Sequence, residues 1–176
     1  MVRVWRVSAQ HLDGAIGDWA EDAEAAIEML TEGPQVLVGS SMGGWASLLA
    51  ALDRPEQVAG LVLINPAPDF TEKMVWASWD DHKRQMLEED GVVYEPSDYG
   101  EPYAYSRSLI EDGRKHQILD DPIPFEGPVE ILQGADDDVV PPEHSKLLID
   151  ALTSERVGYT LVKGGDHSLS RPQDLD

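Results

Sequence analysis

The stretch QVLVGSSMGGWASLLAAL, residues 35–52, constrains the fold of this chain more than any other. A valine-rich apolar run passes through one glycine–serine turn straight into a helix-patterned segment. Short continuous apolar runs suit strands buried on both faces of a parallel sheet. The pattern recurs in GLVLINP (60–66), VEILQG (129–134) and VGYTLVK (157–163), with a helix in PPEHSKLLIDAL (141–152) between the last two. Upstream, DWAEDAEAAIEMLT (18–31) places Trp19, Ala23, Ala26, Ile27 and Leu30 at three- and four-residue spacings, the apolar face of a helix. Asp18 is read as its cap, with Glu21 three residues on, and Gly33-Pro34 as its stop. Strands alternating with helices predict an α/β fold with a mostly parallel sheet of four identifiable strands.

Residues 67–127 break that rhythm. The segment is polar and acidic, holds Trp76, Trp79, Tyr94, Tyr99, Tyr103 and Tyr105, and offers no buried strand. Helices are expected near 71–89 and 104–118, joined by a loop around GVVYEPSDYGEP. The expectation is one domain over residues 1–176, with 67–127 inserted as a helical cap or lid.

The 176 residues suffice for one hydrophobic core. The net charge of −21 argues against nucleic acid or an anionic membrane as a partner. Such a surface suits solubility, or adaptation to high salt; the sequence alone does not separate the two. There are no cysteines, so disulfides and thiolate chemistry are excluded. MVRVWRVSAQ lacks the apolar core of a secretory signal, and no apolar run approaches the roughly 20 residues of a membrane span. The expectation is a soluble, cytoplasmic protein.

Gly39-Ser40-Ser41-Met42-Gly43 fits G-x-S-x-G between a strand and a helix, the setting of a nucleophile elbow. A sharp turn there strains the serine backbone and lifts its hydroxyl above the sheet. Side chains at Gly39 and Gly43 are expected to collide, and the Met42 N–H is the expected donor to a developing oxyanion. A serine hydroxyl needs a base, and the base an orienting acid. After VEILQG comes ADDDVVPP, and after VGYTLVK comes GGDHSLS. His167 is therefore the candidate base, and the acid lies among Asp136, Asp137 and Asp138. His11, His82, His116 and His144 fit neither this order nor a metal-ligand pattern. No metal and no cofactor is called for.

Together GSSMGGW, LQGADDDVVPPEHS and KGGDHSLSRP resemble the α/β-hydrolase superfamily, and within it the branch of palmitoyl-protein thioesterases and related serine esterases. YSRSLIEDGRKHQIL and DPIPFEGPVEILQG extend the likeness, which runs from about Gly14 to Asp174. In that family the acid stands in G-x-x-D-x-x-V-P, matched by Gly134, Asp137, Val140 and Pro141, so the resemblance selects Asp137. It implies a nucleophile at Ser41, a base at His167 and an orienting acid at Asp137. The implied reaction cleaves esters or thioesters of small molecules or acylated proteins, palmitoyl-proteins among them, through an acyl-enzyme.

The chain departs from the family in its amino-terminal part, where MVRVWRVSAQHLD supplies neither the early strands nor a His-Gly loop for a second oxyanion donor. The expectation is a partial α/β-hydrolase fold, truncated at its amino terminus, with QVLVGS as an exposed edge open to self-association. The alternative is a truncated or degenerate hydrolase without turnover: a binding or assembly module, or an incomplete gene product.

Overall fold

The computed structural model describes residues 14–97 and 102–174. In chain order the elements are α1 (Ile16–Leu30), β1 (Gln35–Ser40), α2 (Met42–Asp53), β2 (Val58–Ile64), α3 (Asp81–Asp90), β3 (Val92–Glu95), β4 (Tyr103–Ser106), α4 (Arg107–Lys115), β5 (Val129–Gly134), α5 (Pro142–Ala151) and β6 (Val157–Val162). A π-helical turn covers Thr71–Trp76. The described residues form two compact units, 20–68 with 117–174 and 14–19 with 69–116.

The first unit holds a four-stranded sheet in the order β1-β2-β5-β6, every neighbouring pair parallel. Parallel neighbours cannot be joined by tight hairpins, which is why helices alternate with these strands in the sequence. The register sets Leu37 against Leu61, Leu63 against Ile131 and Ile131 against Tyr159. Leu48, Leu61, Leu63, Ile131 and Leu148 are fully buried in one core. Each such side chain contributes about 1.5–3 kcal/mol relative to exposure.

The strand expectations hold for β1 and β5 to the residue, and the family-based expectation of β1 as an edge also agrees with the strand order. Burial of β1 on both faces does not hold among the described residues. Leu37 packs on the core, but Val36 and Val38 are each 60% exposed. The cap of α1 is also corrected. The helix starts before Asp18, whose Oδ2 accepts the Ala15 N–H at 3.1 Å. Asp18 thus occupies the third helical position, the returning half of a capping box.

The second unit has its own core of Val75, Trp79, Leu87, Val93 and Ile110, with Tyr105 edge-on to Trp79 at 6.0 Å. The expected helix over 71–89 is broken. Asp80 starts α3 afresh by accepting the Lys83 N–H at 2.9 Å, and Gly91, at φ 77°, ends it. Where a loop and then a helix from 104 were expected, β3 and β4 form an antiparallel pair, Val93 opposite Tyr105 and Glu95 opposite Tyr103. The expected helix from 104 begins only at Arg107, with the Ser106 Oγ accepting the Leu109 N–H. Among the described residues no helix is long and apolar enough to cross a membrane.

Candidate active site

Ser41 lies between the end of β1 and the first residue of α2, at φ 52° and ψ −123°. Non-glycine residues seldom occupy such backbone, which costs on the order of 1–3 kcal/mol. The neighbouring strand holds it there. The Ser41 N–H donates to the Ile64 carbonyl at 2.9 Å, and the Ser41 carbonyl accepts the Gly44 and Ala67 N–H groups at 2.9 and 3.1 Å. A Cβ on Gly39 would lie 2.4 Å from the Gly43 carbonyl oxygen and 2.6 Å from Ser47 Oγ, so only glycine fits. The matching expectation for Gly43 fails. A Cβ there meets nothing within 4 Å among the described residues, because the position faces outward. The tight glycine is the next one, Gly44, whose Cβ would lie 3.0 Å from Pro66 Cβ.

The loops after β5 and β6 bring the other two candidates to this turn. His167 Nε2 is 3.1 Å from Ser41 Oγ, and His167 Nδ1 is 2.8 Å from Asp137 Oδ2. A carboxylate oxygen accepts, so Nδ1 donates and Nε2 faces the hydroxyl as an acceptor. The other carboxylate oxygen, Asp137 Oδ1, accepts the Val139 and Val140 N–H groups at 2.9 and 2.8 Å. The Asp137 side chain is wholly buried, whereas Asp136 and Asp138 are exposed. Such an array can pass a proton from Oγ to Nε2 while the acid holds the ring in place. Met42 opens α2, and its N–H therefore belongs to the first helical turn, where donors lack intrahelical acceptors.

The remaining histidines stand elsewhere. His144 is buried, with Nε2 2.6 Å from the Pro68 carbonyl oxygen, and His116 Nδ1 is 2.9 Å from the Asp112 carbonyl oxygen. His82 is on α3, and His11 lies outside the described residues. Among the described residues no three His, Asp or Glu side chains converge as metal ligands.

Buried polar residues that sequence reasoning missed brace these loops. Asn65, directly after β2, bonds to Gly134, Asp166 and His167. Gln133 accepts from Ser145 Oγ and donates to the Gly134 and Val140 carbonyls, bracing the loop that carries Asp137. A polar residue at the end of an otherwise apolar strand was the available signal for both. Asp166 Oδ1 accepts from Ser168 and Leu169 backbone and from Ser168 Oγ, and these bonds hold its carboxyl below the ordinary 3.8. Arg171 spans Asp174 and the Gly164 carbonyl, closing the same loop.

The profile of the α/β-hydrolase fold family matches residues 12–111. This chain belongs to that family. An α/β-hydrolase of like sequence is the palmitoyl-protein thioesterase ABHD10 of Bos taurus, named mitochondrial, 36% identical over 167 residues that cover 91% of this chain and 53% of the relative. The chain thus spans about half the length of the curated relatives it matches. Two solved structures are similar to this chain. A protein from Agrobacterium vitis S4 is 42% identical with a TM-score of 0.89, over 94% of this chain and 66% of that one. The alpha/beta hydrolase domain-containing protein 10 from mouse is 33% identical with a TM-score of 0.86, over 94% and 67%. The expectation of a cytoplasmic location is overturned by the mitochondrial name of these relatives. That expectation rests on the lack of a secretory signal, and such a lack specifies no location.

Proposed function

We propose that this α/β-hydrolase chain carries a serine-hydrolase site that cleaves carboxylic esters or thioesters through an acyl-enzyme on Ser41. Ser41 Oγ attacks the acyl carbonyl carbon as its proton passes to His167 Nε2, and the carbonyl π pair moves onto oxygen. Asp137 orients the ring and stabilises the imidazolium. The Met42 N–H faces the developing oxyanion at the start of α2, where the helix dipole favours negative charge. Collapse breaks the bond to the alcohol or thiol, which takes the proton from His167. Water then repeats the sequence on the acyl-serine, releasing the acid and restoring Ser41. Neither step requires a metal or cofactor.

The observation that carries this reading is the unbroken contact from Asp137 Oδ2 through His167 to Ser41 Oγ, at 2.8 and 3.1 Å. The name of the bovine relative supports palmitoylated proteins as the substrate class. Residues 67–127 are proposed as an inserted cap, whose aromatic composition favours acyl substrates. A fluorophosphonate probe tests the proposal: it should label the wild type and not Ser41→Ala, and folded wild type left unlabelled would overturn it.

A second reading, an assembly module without turnover, is favoured by the two valines that β1 leaves exposed at the sheet edge among the described residues. It predicts a second chain bound at that edge, with folded wild type left unlabelled by the fluorophosphonate.

A further inference from the structure

Asn65 plays no part in the three-residue relay, yet it touches both loops that build it. It is fully buried and holds φ at 44°, left-handed backbone that asparagine adopts more readily than most residues. Its main-chain N–H donates to the Leu132 carbonyl at 2.8 Å, fixing the residue to β5. Its side chain then makes three hydrogen bonds, all to backbone. Oδ1 accepts the Gly134 N–H at 2.7 Å, and Nδ2 donates to the His167 carbonyl at 2.7 Å and the Asp166 carbonyl at 3.2 Å.

Gly134 begins the turn that reaches Asp137 three residues later, and Asp166 and His167 form the other arm. One amide therefore ties the acid's loop to the base's loop. The loops meet without slack: a Cβ on Gly134 would lie 2.5 Å from the Gly165 carbonyl oxygen and 2.6 Å from that of Asp166. His167 meets the relay through Nδ1 and Nε2, and both contacts depend on where its backbone sits. No hydrophobic residue of similar size could replace the amide, because it would leave one N–H and two carbonyls without this partner.

We propose that Asn65 is a positioning residue that locks the His167 loop to the end of β5 and so sets the Asp137–His167–Ser41 spacing. The proposal rests on the serine-hydrolase reading of that site. Asn65→Asp separates positioning from packing. The replacement matches the shape, tolerates left-handed backbone and keeps the acceptor for Gly134, but an ionised carboxylate cannot donate to the two carbonyls.

The test compares wild type, Asn65→Asp and Gly134→Ala by thermal melting, by fluorophosphonate labelling rate against pH, and by NMR titration of the His167 ring. Asn65→Asp should melt cooperatively and label on the order of 10²-fold more slowly, the cost of a misplaced reacting group. The acidic limb of its labelling profile should move to higher pH, because a new carboxylate near His167 favours the charged ring. Gly134→Ala should slow labelling while leaving that limb in place. Asn65→Asp labelled at the wild-type rate, with the wild-type profile, would overturn the proposal. Should the wild type itself not label, the serine-hydrolase reading falls, and Asn65 is judged by NMR: unchanged His167 shifts and titration in Asn65→Asp would overturn it. If Asn65→Asp does not fold, Gly134→Ala decides, and undisturbed His167 signals together with wild-type labelling would count against the clamp.

Discussion

Gly39 and Gly43 flank the same serine symmetrically in sequence, but among the described residues only Gly39 of the pair is confined, its missing Cβ facing the Gly43 carbonyl oxygen at 2.4 Å. Gly39→Ala must shift the first turn of α2, at a cost on the order of 1–3 kcal/mol. Gly43→Ala meets no neighbour among the described residues and should stabilise α2 by up to about 1 kcal/mol through helix propensity. Urea denaturation of the two variants should therefore move in opposite directions.

Of three consecutive aspartates, only Asp137 turns inward to His167. On the proposed mechanism Asp137→Asn lowers kcat by about 10⁴, by favouring the wrong imidazole tautomer. Asp136→Asn and Asp138→Asn should stay near wild type. Hydrolysis of a p-nitrophenyl ester by the three variants measures this, and a comparable loss in all three would reject Asp137 as the specific acid.

Glu24 sits beside Arg54 at 3.5 Å, and Arg54 is also 3.0 Å from Asp53. Burial, and then the Asp53 charge, push the Glu24 carboxyl above its ordinary 4.5, against the opposing pull of Arg54. The folded chain therefore holds a proton that the unfolded chain releases near 4.5. The resulting stabilisation is complete below 4.5 and is lost as pH rises through the raised value. Glu24→Gln should flatten this part of the stability–pH curve and raise the urea midpoint at neutral pH.

Val36 and Val38 face solvent from the outermost strand of the sheet, among the described residues. An apolar edge invites pairing with a second chain. We expect concentration-dependent association in sedimentation velocity, reduced by Val38→Lys with no change in Ser41 labelling.

Much of this fold was legible in the chain. The four apolar runs became neighbouring parallel strands, and their order placed Ser41, Asp137 and His167 just after β1, β5 and β6. Less legible was the second unit, where VVYE and YAYS pair as strands of only four residues each. So short a strand pattern does not outweigh a loop reading for VVYE or a helical one for YAYS until the partner strand is known.

Apolar periodicity and the order of three loops come from residues close together in the chain, and the sequence by itself determined them. What only the tertiary structure decided is which groups meet. It buried the Asp137 side chain against His167, turned Gly43 outward among the described residues, and drew Asn65 across 69 residues to Gly134 and 102 to His167. Those outcomes depend on hydrogen-bond contact between strand ends distant in sequence. Local propensity carries no information about that contact.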